Sequence, residues 1–165
     1  MGVSQGNDSL ALQVKNYLKE KYNKPGNVYL GIVSRLDSHA SGVMVFARTS
    51  KAAARLNRQF VERSVKKKYL AIVGGNLPID QGELRNWVIK NERHRCMVVV
   101  EDKHPDSQFA LLRFETAGKA RDTTLLHVDL VTGRKHQIRL QMAAAGHPIV
   151  GDRKYGSRLP FPRGI

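Results

Sequence analysis

The segment Ser34-Arg35-Leu36-Asp37-Ser38-His39-Ala40-Ser41-Gly42 gathers a carboxylate, an imidazole, a guanidinium and several hydroxyls into one short polar stretch. Ser34, Asp37 and His39 are the residue types of a hydrolase triad. Crowded so closely they cannot form a productive relay, and no nucleophile-elbow pattern surrounds them. The carboxylate of Asp37 remains as a candidate for acid, base or nucleophile chemistry. It also reads as a loop cap, because Asp commonly ties up nearby backbone N–H groups.

Other sites are weaker. Gly133-Arg134-Lys135 lacks the Gly-x-x-x-x-Gly-Lys pattern of a phosphate loop. Gly151-Asp152 has no second carboxylate at close spacing, which gives Asp152 a structural, loop-ordering duty. His136 reads as a hydrogen-bonding residue at a helix start rather than a general base. Cys96 is the only cysteine, so an internal disulfide and a Cys-rich metal site are excluded. A reducing compartment, the cytoplasm, is the simplest setting.

Charge points to a class of partner. Over 165 residues, 28 Lys and Arg face 14 Asp and Glu, a formal charge of +14. Such an excess suits a polyanion, since neutralised phosphates release condensed counterions. It does not by itself separate RNA from DNA or from an anionic membrane. Lys51, Arg55 and Arg58 stand at helical spacing and can align along one face, with Arg48, Arg63 and Lys66, Lys67 and Lys68 nearby. That stripe reads either as a solvated helix face or as a phosphate-contacting strip. No apolar run approaches the roughly 20 residues that span a bilayer, and the N-terminus lacks a signal-peptide layout.

The elements that must position these groups follow from patterning. Asn7-Asp8-Ser9 can cap a helix that carries Leu10, Val14, Tyr17 and Leu18 and ends near Tyr22. Strands are expected at Val28–Val33 and Val43–Ala47, bracing the Asp37 loop between two buried elements. Thr49 or Ser50 caps a second helix with Ala53, Leu56 and Phe60 inward. Further strands are expected from Lys66 to Val73, Cys96 to Glu101, Phe109 to Phe114 and Leu125 to Val131. A last helix is expected over His136–Ala145, before the Gly146-His147-Pro148 turn. Strands predominate without regular alternation with helices. The expected fold is therefore α+β, a mixed and largely antiparallel sheet with packed helices, in a single domain over residues 1–165.

The run Arg35-Leu36-Asp37 followed by Ser41-Gly42 and Val43-Met44-Val45-Phe46-Ala47 resembles the catalytic motif of the RluA-like pseudouridine synthases. Lys68-Tyr69-Leu70-Ala71-Ile72-Val73-Gly74 is similar to the strand that carries that family's active-site tyrosine. Gly133-Arg134-Lys135-His136-Gln137-Ile138-Arg139, with Gly146-His147-Pro148-Ile149-Val150-Gly151-Asp152 and Tyr155-Gly156, resembles its late signature. The pieces occur in the family's order. Ser34 stands where the family usually has His, and Ala40 where it usually has Thr. Relative to the family pattern the chain is expected to be shortened at both ends.

The resemblance implies a pseudouridine synthase-like core that isomerises uridine in structured or partly single-stranded RNA, transfer or ribosomal, with no cofactor and no metal. It makes Asp37 the essential carboxylate, Tyr69 the aromatic residue against the uracil, and Arg139 the cation paired with Asp37. Arg35, Lys51, Arg55, Arg58, Lys67, Lys68, Arg134 and Lys135 would hold RNA backbone. An ionised carboxylate in a partly dehydrated pocket tends to take up a proton, and a neighbouring guanidinium opposes this. R139M is accordingly expected to abolish turnover while leaving the thermal midpoint within a few degrees. The competing reading is a noncatalytic RNA-binding protein on the same scaffold. No membrane partner is expected, and exposed sheet edges suggest a homodimer.

Overall fold

The structure is a computed structural model that describes residues 9–37 and 40–161. The chain divides into two compact units, separated between Ser64 and Val65.

In the first unit, α1 (Leu10–Lys21) begins at Ser9, whose Oγ accepts from the backbone N–H of Leu12 at 3.3 Å. Its last turn carries Lys19 and Lys21, which complement the negative end of the helix dipole. Beyond it, Arg48 lies 4.0 Å from the centre of the Tyr22 ring and donates to its hydroxyl at 2.9 Å. Strands β1 (Gly31–Ile32) and β2 (Phe46–Ala47) pair antiparallel, Gly31 opposite Ala47 and Ile32 opposite Phe46. Helix α2 (Ser50–Val61) follows, capped by Thr49 Oγ1, which accepts from Ala52 N–H at 3.1 Å.

A methyl group on Gly31 would sit 2.9 Å from Cβ of Ala53 and 3.1 Å from Cβ of Ala47. Glycine and two alanines thus let α2 press directly on the β1–β2 ribbon. The expected strands at Val28–Val33 and Val43–Ala47 shrink to these short pairs. Val28 is buried, but Val43 is 89% exposed, so the Asp37 loop is not flanked by two buried strands. β-Branched sequence favours extended backbone, yet a strand needs a partner, and among the described residues the ladder is two pairs long.

The second unit is a five-stranded sheet of order β3-β7-β6-β4-β5, every neighbouring pair antiparallel. Its strands are β3 (Lys68–Gly74), β4 (Gln81–Asn91), β5 (Cys96–Val100), β6 (Gln108–Lys119) and β7 (Thr123–Leu130). Helix α3 (Gln137–Ala144) and a 3-10 turn (Arg153–Tyr155) complete it. This is the antiparallel α+β architecture expected.

Strand β4 has no counterpart among the strands expected from the sequence. Its inward positions include Asn86 beside Leu84 and Val88, so the run reads as polar although it pairs on both sides. Strand β6 continues past Phe114 because its ladder with β7 resumes after a bulge between Thr116 and Gly118.

The core lies on one face of this sheet. Met142 of α3 packs with Val73, Leu112, Leu126 and Val128, all essentially inaccessible, and Leu140 packs with Val88, Met97 and Ala110. Along the edge of β3, Gly74 N–H donates to Pro148 O and Val150 N–H donates to Ile72 O, both at 2.9 Å. The segment after α3 thereby covers part of the β3 edge.

On the opposite face Glu83 accepts from Arg113 Nε at 2.6 Å and also pairs with Arg85. Hydrogen bonds from Arg113 and then Arg85 hold the Glu83 carboxyl below its ordinary range. Stability from this group is present above the usual glutamate range and is lost as pH falls through the lowered folded value. E83Q should therefore lower the urea midpoint slightly at neutral pH and low salt. The difference should vanish on acidification, and also at about 1 M salt, where the Debye length is about 3 Å.

Candidate active site

Asp37 lies in the connection between β1 and β2. Its backbone carbonyl accepts from Ala40 N–H at 3.0 Å, and its side chain is partly exposed. Arg35 is exposed. On α2, Ala53 is buried and Leu56 and Phe60 are partly buried, while Lys51, Arg55 and Arg58 face solvent. The helical stripe is therefore a cationic surface opposite an apolar one, as the spacing indicated.

In the second unit Tyr69 opens the core-facing row of β3, ahead of buried Ala71 and Val73, and remains 36% exposed. Burial raises its phenol above the ordinary value, so the ring carries a neutral hydroxyl at physiological pH. Leu70 and Ile72 point to the other face and are exposed. Tyr69 is thus an aromatic at the rim of the core, with a ring surface that a flat ligand can reach.

The late signature is held by a buried polar network. Gln137 Oε1 accepts from Thr132 Oγ1 and from Arg134 N–H, each at 2.9 Å. Gln137 Nε2 donates to Gln141 Oε1 at 3.0 Å, and Gln141 Nε2 reaches Asn86 Oδ1 at 2.7 Å and Leu84 O at 2.9 Å. Thr132, Gln137 and Gln141 are all at most 3% exposed. Buried amides of this kind must be satisfied, and here their mutual bonds fix α3 and the preceding turn to β4 and β6. Patterning gave no sign of this network, because glutamine on a short helix reads as surface.

The same turn engages two residues expected to hold RNA. Lys67 Nζ donates to Thr132 O at 3.2 Å, and Arg134 Nε donates to Phe109 O at 2.9 Å. Lys68 and Lys135 are exposed. His136 adopts a left-handed backbone, φ 53°, and its Nδ1 lies 2.8 Å from the Tyr155 hydroxyl. It is a hydrogen-bonding residue at the helix start, as the sequence suggested.

Arg139 extends from α3 to Asp152. Its Nε meets Oδ2 at 2.6 Å and its Nη2 meets Oδ1 at 2.8 Å, a bidentate pair with side chains 18% and 6% exposed. The guanidinium also lies 5.0 Å from the centre of the Tyr155 ring. Tyr155 is in turn fixed through its hydroxyl, which accepts from Met97 N–H at 3.1 Å. Burial keeps that phenol above its ordinary value and therefore neutral.

Asp152 does order its loop, since its backbone carbonyl accepts from Tyr155 and Ser157 N–H. Its carboxylate has the additional partner that sequence reading missed. The same pair argues against the expectation that R139M leaves stability almost unchanged. Removing Arg139 strands a carboxylate that is 6% exposed. Gly151 delivers Asp152 to this place. Its φ is +82°, and a methyl group there would meet Cβ of Phe161 at 2.7 Å.

Among the described residues no group of three or more His, Cys, Asp and Glu is placed to hold a metal.

The profile of the RNA pseudouridylate synthase family matches residues 2–144. The chain is 40% identical over 134 residues to the ribosomal large subunit pseudouridine synthase D of Xylella fastidiosa, covering 81% of this chain and 39% of that protein. It is 37% identical over 147 residues to the dual-specificity RNA pseudouridine synthase RluA of Vibrio vulnificus, covering 87% of this chain and 57% of that one. The chain therefore spans well under two thirds of these relatives. Among solved structures, human RNA pseudouridylate synthase domain containing 1 aligns with a TM-score of 0.70 and 26% identity, over 86% of this chain and 59% of that one. The domain containing 4 protein aligns at 0.77 and 24% identity, over 92% and 60%, which shows the shared fold. With the Asp37 loop, the Tyr69 strand and the Arg139 helix all inside the matched span, the chain belongs to the RNA pseudouridylate synthase family.

Proposed function

We propose that this protein converts uridine to pseudouridine within RNA, with Asp37 as its catalytic carboxylate. The observation that carries the reading is the family match over residues 2–144, which includes Asp37, Tyr69 and Arg139. The reaction breaks the bond from N1 of uracil to C1′, turns the retained base and joins C5 to C1′, with loss of the C5 proton to solvent and uptake of one proton at N1. Asp37 serves either as a nucleophile toward sugar or base, or as a base toward a sugar proton. Each route requires an ionised carboxylate beside the nucleotide, and Arg139 supplies the guanidinium that keeps it so. Tyr69 presents its ring to the uracil. Stacking of this kind contributes about 1–3 kcal/mol per base.

The proposed substrate class is ribosomal or transfer RNA, and similarity to relatives named for the ribosomal large subunit and for dual-specificity RNA modification supports an RNA substrate. Reaching a paired uridine requires base flipping at a cost of a few kcal/mol, so loops and mismatched regions are preferred targets. Lys51, Arg55 and Arg58 contact phosphates and position the strand without reading bases. Neutralising Lys51 and Arg55 together should flatten the dependence of log affinity on log salt by about 0.7–0.9 per lost phosphate contact. A fluorescence anisotropy titration across salt concentrations measures this, and an unchanged slope removes these residues from the RNA interface.

The function itself is tested by incubating the full chain with ribosomal RNA transcribed from tritiated uridine labelled at C5. Release of tritium supports the isomerase. RNA binding without release would instead mark a noncatalytic RNA-binding protein.

A further inference from the structure

We propose that Asp152 and Tyr155 act as positioning residues for the isomerisation, by fixing the direction in which Arg139 presents its guanidinium. The inference rests on the isomerase reading above and assigns duties to residues which that reading leaves idle.

An arginine side chain is long and rotatable, and a cation useful to catalysis must arrive in one orientation. Here it is gripped on an edge and on a face. Asp152 holds Nε and Nη2 in a bidentate fork at 2.6 and 2.8 Å, which defines the guanidinium plane and directs Nη1 away from the pair. The ring of Tyr155 backs the group at 5.0 Å. Each grip is itself anchored. Tyr155 is tied through its hydroxyl to Met97 N–H on β5 and to His136 at the head of α3. Asp152 leaves the left-handed Gly151, whose N–H donates to Leu159 O at 2.9 Å and to Ser157 Oγ at 3.2 Å. A second acceptor has to approach from the Nη1 side, in a direction set by the 3-10 turn and β5 rather than by the arginine's own rotamer.

Stability alone is a weak reason to keep such a pair, because apolar residues of similar volume commonly serve a buried position equally well. Charge alone also predicts the wrong outcome. The Asp152 carboxylate offsets the positive charge of Arg139, so a purely electrostatic function for Arg139 would be strengthened by D152N. Orientation predicts the reverse.

The experiment measures tritium release from C5-labelled ribosomal RNA transcript by full-chain wild type, D152N, D152E and Y155F. Nitrocellulose filter binding of the same transcript is measured in parallel. For D152N, kcat should fall about 100-fold, the order expected when a reacting group is misplaced by about 1 Å. KM and RNA affinity should stay within about threefold, since neither residue is assigned to hold RNA. D152E, which can rebuild the ion pair, should recover part of the lost kcat. Y155F keeps the ring but loses both hydroxyl anchors, and should lower kcat by about tenfold with KM unchanged. A folded D152N with kcat equal to or above that of wild type overturns the proposal, as does a loss confined to KM. If D152N does not fold, Y155F decides alone, and full kcat in that variant overturns it. Wild type that releases no tritium sinks the isomerase reading itself, whereas active wild type beside fully active D152N sinks only this inference.

Discussion

D37N should reduce tritium release from uridine-labelled RNA by at least about 10³-fold, the scale on which enzymes lose turnover when a group at the reacting atoms is removed. The fold should barely respond. The turn at this position uses the backbone carbonyl of Asp37, which accepts from Ala40 N–H at 3.0 Å, and asparagine keeps that bond. The side chain is partly exposed, so exchange of one oxygen for an amide should change stability by no more than about 1 kcal/mol. The two readings of this residue therefore separate cleanly. A loop cap tolerates Asn, whereas a catalytic carboxylate does not. Full activity in D37N would remove Asp37 from the chemistry.

R139M should differ in kind, losing turnover and stability together. Asp152 would be left as a carboxylate 6% exposed and without its bidentate partner. Breaking one side of such a pair typically costs about 3–5 kcal/mol. Urea denaturation followed by far-UV circular dichroism should show the lower midpoint. A second substitution distinguishes the two losses. R139M/D152L replaces the pair with apolar groups and should restore much of the stability, because no buried charge remains. It should restore no turnover, because the guanidinium proposed to act on Asp37 is absent. Recovery of activity along with stability would show that Arg139 is a folding residue only.

Local order was legible in the sequence wherever short-range chemistry decides it. Ser9 and Thr49 cap helices because their hydroxyls meet N–H groups three residues on, at 3.3 and 3.1 Å. The apolar face of α2 followed from the spacing of Ala53, Leu56 and Phe60, and its cationic face from Lys51, Arg55 and Arg58. Strand β3 was visible from its apolar run and its closing glycines. Strand β4 was not, since Asn86 faces inward only because Gln141 arrives from α3 to satisfy it at 2.7 Å. The strands around Asp37 were overextended for the opposite reason. Val28, Val43 and Val45 have the side chains of a strand, but pairing is a property of neighbours, and Val43 remains 89% exposed.

By itself the sequence determined the family, through motifs whose order survives in a linear string, and with the family the residues proposed for chemistry, Asp37, Tyr69 and Arg139. Only the tertiary structure decided how Arg139 is held. Its partners Asp152 and Tyr155 lie 13 and 16 positions further along and are brought back to it by a glycine turn and by the edge of β5. Composition and spacing record which side chains exist and which local backbone they favour. The pairing of a charge depends on where distant segments return, and that is set by the packing of α3 on the sheet.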